Sequence, residues 1–171
     1  VFFQNPSTTL VSALTVRRGK DLLIYERHWH DEFELALFTE GEALARYNDS
    51  ECLMKPGYIM IRNSGDLHDL TSKSELVKYI GVLTKPSFLG FDFRSVEFTP
   101  FITKDDILAK AISDVNALLE KKELGFDLKI KSQMCQIIIH LLEHYTIRHL
   151  SPADYERKIQ KSEKINKVIT Y

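Results

Sequence analysis

The sequence predicts a mainly β fold, an antiparallel barrel or sandwich followed by an antiparallel pair of helices, and three observations lead there. From Leu10 to about Leu83, short β-branched and aromatic runs are separated by turn residues. From Thr103 onward the apolar residues recur at helical spacing instead. Between these halves, residues 84–103 hold Pro86, Gly90 and Pro100 among five Phe and follow neither period.

In chain order, the expected strands are residues 13–17, 22–27, 33–39, 43–47, 58–62 and 76–83, with Gly41, Asn48-Asp49, Pro56-Gly57 and Ser64-Gly65 supplying turns. Residues 84–103 read as a long connection that packs its aromatic rings back onto the barrel. In the first helix Ile107, Leu108, Ala111, Ile112, Val115, Leu118 and Leu119 form one stripe; Thr103 and Asp106 resemble a capping box, and Gly125 a C-terminal stop. A second helix is expected from about Leu128 up to Ser151-Pro152, with Ile130, Met134, Ile137, Ile138, Leu141, Leu142 and Tyr145 on its apolar side. Ile139 and Ile147 widen that surface beyond one stripe, which points to contact with a second subunit.

The tail from Tyr155 carries Arg157, Lys158, Lys161, Lys164 and Lys167 against Glu156 and Glu163, an excess of three positive charges, with Ile165, Val168 and Ile169 starting a new stripe. A helix cut off after about two turns cannot stand alone, so the natural protein is expected to continue. The expected units are a barrel over 1–102, a helix pair over 103–150, and a linker with the start of a further domain over 151–171.

Bulk composition removes several classes. With 171 residues, 44% of them apolar, the chain can bury a real core, so disordered and collagenous readings drop out. The 23 basic and 24 acidic side chains leave no positive field to gather nucleic acid. Cys52 and Cys135 are the only cysteines and make no disulfide framework, which fits a reducing cytoplasm; Cys135, mid-helix beside Met134, reads as a small buried hydrophobe. The longest apolar stretch, around Ile137, is broken by His140 and Glu143 and falls short of a membrane span.

The most informative stretch is His28-Trp29-His30-Asp31-Glu32-Phe33-Glu34, answered downstream by His68. In an extended segment His28, His30 and Glu34 share parity, so all three leave one face of the sheet toward the interior, where a second strand carrying His68 closes the site. Three imidazoles and a carboxylate suit Zn, Ni, Fe, Mn or Cu, with positions left for water or ligand. The alternative is that the histidines line the mouth of the barrel, hydrogen-bonded to Asp31, Glu32 or an organic ligand. Arg46 and Tyr47 on a neighbouring strand are further contacts for a polar effector, or else surface groups. His140 and His144, at i and i+4, read as a polar or interface row rather than a second metal site. No Gly-rich phosphate loop, nucleophile elbow or Cys-x-x-Cys pair occurs.

His28-x-His30-x3-Glu34-x6-Gly41 resembles the first cupin motif and Gly57-x5-Asn63-x-Gly65-x2-His68 the second, with Asn63 where Pro is usual and Ser72 where Asn is usual. The order of parts narrows the resemblance: a cupin barrel, an antiparallel helix pair and a basic helical start, "SEKINKVITY", resemble the front of AraC-type regulators. The resemblance implies that the jelly-roll barrel senses a small-molecule effector, expected between His28, His30, Glu34 and His68, the same groups that the donor set offers to a divalent metal. It implies that the helix pair forms a homodimer, and that DNA is contacted only through a C-terminal domain outside this chain. No catalytic residue is then expected. The second reading is a free-standing cupin metalloenzyme, a dioxygenase or isomerase.

Overall fold

The computed structural model describes residues 10–169. Eight strands come first: β1 (Leu10–Arg18), β2 (Leu23–His28), β3 (Phe33–Glu40), β4 (Ala43–Tyr47), β5 (Ser50–Met54), β6 (Ile59–Arg62), β7 (His68–Ser72) and β8 (Leu76–Thr84). A short helix α1 (Pro86–Leu89), a 3-10 turn (Phe93–Ser95) and two short strands, β9 (Val96–Phe98) and β10 (Phe101–Ile102), follow. The chain then forms α2 (Asp106–Lys121), α3 (Phe126–His144), β11 (Thr146–His149) and α4 (Pro152–Ile169).

Two antiparallel sheets make a jelly-roll-like barrel. One runs β1-β8-β3-β6-β10 and the other β2-β7-β4-β5, while β11 pairs with β9 apart from both. Strand alternation explains how one sheet serves two cores. On β3, Phe33, Leu35 and Leu37 face outward into a cluster shared with Ile59 and Ile61 of β6 and with Ile112, Val115, Met134, Ile137 and Leu141 of the helices. Ala36 and Phe38 face the other way, into a second cluster with Met60, Ala43, Ala45, Tyr47, Leu70 and Val77 between the sheets. The helix pair therefore covers the outer face of the larger sheet, and β3 and β6 carry apolar residues on both faces, as two-sided burial requires. Gly41 makes the β3–β4 turn with φ +73°, and a Cβ there would lie 1.9 Å from the Leu76 carbonyl oxygen, so only glycine fits.

Several local expectations need correction. The second helix ends at His144, not at Ser151: Tyr145 leaves helical geometry with φ −130°, and the chain continues as β11, which pairs with β9 through Thr146, Arg148 and His149. Gly125 begins α3 in the left-handed conformation, whereas α2 ends on Lys122, also left-handed. The cap of α2 is Asp105, whose carboxylate accepts from the Leu108 amide at 2.8 Å; Thr103 and Asp106 form no capping box. Residues 84–103 contain β9 and β10 as well as packed rings, with Phe93 stacked on Phe33 at 4.6 Å between centroids. Cys135 is exposed on α3 rather than buried. The tail reading extends to Thr170 and Tyr171, which lie outside the described residues, as do residues 1–9.

Candidate metal centre between the sheets

Cross-strand register builds the site. His28 lies opposite His68 in the β2–β7 pair, and Glu34 lies opposite Arg62 in the β3–β6 pair. Both pairs project into the space between the sheets. β2 ends at His28, so His30 stands on the connection to β3 and not on a continuous extended strand. It still converges: one nitrogen each from His28, His30 and His68 lies within 4.8 Å of the others. Ring centroids are 4.4 Å apart for His28 and His68, 4.9 Å for His30 and His68, and 5.7 Å for His28 and His30.

The three imidazoles share one hydrogen-bonding pattern. Nδ1 of His28 meets the Glu26 carbonyl at 2.7 Å, Nδ1 of His30 the Glu32 carbonyl at 3.0 Å, and Nδ1 of His68 the Asp66 carbonyl at 2.9 Å. A carbonyl oxygen only accepts, so each Nδ1 carries the proton and each Nε2 presents a lone pair. His68 Nε2 is buried and has no hydrogen-bond partner among the described residues. A buried, unpaired imidazole nitrogen is costly unless something occupies it. Burial, followed by the nearby Arg62 charge, holds the His68 imidazolium well below the usual histidine range, so the ring is neutral and competent as a donor. His28, His30 and His68 can thus hold a divalent transition metal.

Glu34 stands beside this triad rather than within it. Its Oε2 is 3.5 Å from His30 Nε2, while its Oε1 is ion-paired with Arg62 Nη1. Burial pushes the Glu34 carboxyl up, but the Arg62 guanidinium, joined by His30 when that ring is protonated, outweighs it and holds it down at about 2. The Arg62 guanidinium, 2% exposed, also donates through Nη2 to the Tyr25 hydroxyl and lies 4.8 Å over the Tyr25 ring. Burial raises the Tyr25 phenol far above its ordinary range, so it stays protonated. The Tyr25 ring in turn packs edge-on against His28 and His68, with centroids 5.5 and 5.9 Å away.

Arg46 is not brought to this cluster. On β4 it alternates with Ala45 and Tyr47, which face inward, and its guanidinium sits half-exposed near Glu51 and Asp69, 3.9 and 3.6 Å away. Tyr47 does face inward: its hydroxyl donates to Asp66 Oδ2 and accepts from Asn63 Nδ2 at 2.6 Å. Asn63, which replaces the usual motif proline, clamps β9 through both amide atoms, to the Phe98 carbonyl and amide at 2.9 Å each. Arg62 and Tyr25 escaped sequence reasoning. The signal was parity: on β6 Met60 faces the barrel interior, so Arg62 two residues on must do so as well.

A jelly-roll barrel with inward histidines and helices on one outer face defines a cupin-type ligand-binding domain. The chain belongs to the family of AraC-like ligand binding domains, whose model matches residues 13–138. No curated protein sequence matches it. Among solved structures, it is similar to the plu4264 protein of Photorhabdus luminescens, at 17% identity and a TM-score of 0.42, covering 50% of this chain and 70% of that one. It is also similar to the conserved SPY1581 protein of Streptococcus pyogenes, at 19% identity and a TM-score of 0.42, covering 46% and 67% respectively. A third is oxalate decarboxylase of Bacillus subtilis, studied for its Mn(II) centres, at 26% identity and a TM-score of 0.41, covering 53% of this chain and 26% of the enzyme. Among the described residues, no helix is long and apolar enough to cross a membrane.

Proposed function

We propose that this chain is the effector-sensing and dimerising part of an AraC-type transcription regulator, whose barrel binds a divalent transition metal together with a small-molecule effector. The observation that carries the reading is the arrangement of three imidazoles, each with Nδ1 bound to a backbone carbonyl and with one nitrogen from each ring converging on the others. Backbone carbonyls that fix the tautomer of a histidine are the usual outer support of a metal ligand. His28, His30 and His68 would hold the ion, and Glu34, gripped by Arg62, would add a carboxylate oxygen on the His30 side. When bound, the ion would supply a Lewis-acidic anchor for an oxygen or nitrogen atom of the effector. Tyr25 and Arg62 would shape the adjoining wall. Arg46 would serve an effector only at the rim, because its side chain points away from the interior.

Regulation would follow if occupied and empty barrels differ in how they present the helices, since a ligand shifts an equilibrium only by its differential affinity for the two states. The test is elemental analysis and Co2+ titration of untagged protein purified without chelators. Near-stoichiometric metal, lost in a folded His30→Ala variant, is expected. A folded wild-type protein that takes up no Co2+ overturns the metal reading. The regulator reading further expects the natural gene to encode two helix-turn-helix units after this domain; a stop codon after Tyr171 overturns it. The open coordination positions of a three-histidine site equally suit a cupin metalloenzyme, a dioxygenase or isomerase. Turnover of a small oxygenated substrate by the metal-loaded chain would favour that second reading.

A further inference from the structure

α4 is joined to the histidine site through a two-sided loop. Residues 63–67 connect β6 to β7 and carry His68 at their far end. One side of this loop supports the imidazoles: the Asp66 carbonyl accepts from His68 Nδ1 at 2.9 Å, and the Gly65 amide donates to the His30 carbonyl at 2.9 Å. The other side is held by α4. Ser162 Oγ donates to the Gly65 carbonyl at 2.9 Å, and Ser162 is itself buried. Lys158 Nζ lies 2.8 Å from Asp66 Oδ2, with both side chains largely out of water. The Tyr155 hydroxyl donates to Asp31 Oδ1 at 2.9 Å, next to His30, and accepts from Ser64 Oγ at 2.8 Å.

The packing is as close as the bonding. Gly65 has φ +80°, and a Cβ there would lie 2.5 Å from Ile159 Cδ1, so the helix rests directly on the loop backbone. Asp66 is the shared member: its carboxylate takes Tyr47, Asn48 and Lys158 while its carbonyl fixes the tautomer of His68. A shift of α4 therefore cannot leave both faces of the loop unchanged.

We propose that α4 is a working part of the histidine site. Tyr155, Lys158 and Ser162 are positioning residues that hold residues 63–67, and through them His30 and His68, in metal-binding register. Loading the site and docking α4 consequently stabilise each other, and by linkage the coupling is the same in both directions. This rests on the three histidines binding a divalent metal.

Co2+ is the probe, with its affinity measured by competition against a chromophoric chelator and the exchange of α4 amides followed by mass spectrometry. In the wild-type chain Co2+ slows exchange across α4. Lys158→Met weakens Co2+ binding by about tenfold, the scale of outer-shell ligand support, and abolishes the slowing. Lys158→Arg restores part of both, which a merely structural loss would not. Should Lys158→Met fail to fold, Ser162→Ala takes its place, with the same two readouts. Wild-type binding of Co2+ without a change in α4 exchange, or equal affinity in the folded variants, overturns the coupling and leaves the metal site standing. A folded wild-type chain that binds no Co2+ overturns both.

Discussion

Arg62 and Glu34 are opposite charges inside the barrel, and each is tolerable there because of the other. Both are nearly out of water, and the Arg62 guanidinium also donates to the Tyr25 hydroxyl. Removing one partner of such a pair leaves an uncompensated buried charge, a loss of about 3–5 kcal/mol. Arg62→Met is therefore expected to lower the unfolding free energy by about that amount in urea titration, while the double change Arg62→Met with Glu34→Met recovers most of it. Equal stability of the single and double variants would show that the pair is not coupled. These two residues also show what a sequence can and cannot reveal about a site. Parity and motif spacing both marked His28 and Glu34, and motif spacing alone marked His68. Arg62 was hidden in the run Ile59-Met60-Ile61, where apolar neighbours on both faces conceal which side an arginine takes. Arg46 stood open between an effector contact and a surface group, and its side chain lies on the outward face of β4.

At the scale of elements, the two long helices are tied at one end by Asp105. Its carboxylate caps α2 and also meets His140 Nε2 at 2.7 Å and accepts from the Tyr145 hydroxyl at 2.8 Å, both at the end of α3. His144, its ring 4.6 Å from that of His140, adds a second imidazole to this corner. Burial pushes the Asp105 carboxyl up, but the Leu108 amide, His140 and Tyr145 outweigh it and leave it below the usual aspartate range. A carboxyl whose folded value is depressed binds fewer protons than in the unfolded chain. Its contribution is therefore complete above about pH 4 and lost as pH falls through the folded value. Asp105→Asn should keep the cap, lose the charge-assisted link to His140, and cost about 1–2 kcal/mol at pH 7. Its stability should fall less steeply than wild type between pH 4 and pH 2; parallel acid curves would remove Asp105 from the account. The existence of both helices was legible from their 3.6-residue stripes, but their ends were not. The departure of Thr146 into β11 depends on a tertiary partner, β9, that local sequence does not announce, whereas the Asp105 cap is a local bond to the Leu108 amide.

At the scale of the whole molecule, the helix pair has one face committed to the sheet and another that is not. On α3, Leu128, Cys135 and Ile139 are exposed and fall within one narrow stripe by helical spacing, and Ile147 on β11 is exposed just beyond. Ile130, Met134, Ile137 and Leu141, on the opposite side, are buried against the barrel. A helix apolar on two sides points to a second contact, and the homodimer proposed above would place it there, because a symmetric interface needs one self-complementary patch. The histidine site lies between the sheets, across the larger sheet from this patch, so the two can be separated by mutation. Ile139→Asp should raise the dimer dissociation constant by at least about tenfold in sedimentation equilibrium, since it buries a charge without a partner at the centre of the contact. Co2+ affinity should be unchanged in the same variant. Cys135 supplies an internal check: its exposed thiol should react with a maleimide more slowly as wild-type protein concentration rises, and at a constant rate in Ile139→Asp. A wild-type chain that remains monomeric at high micromolar concentration, with Cys135 labelling independent of concentration, would assign this stripe to some other partner and remove dimerisation from the domain.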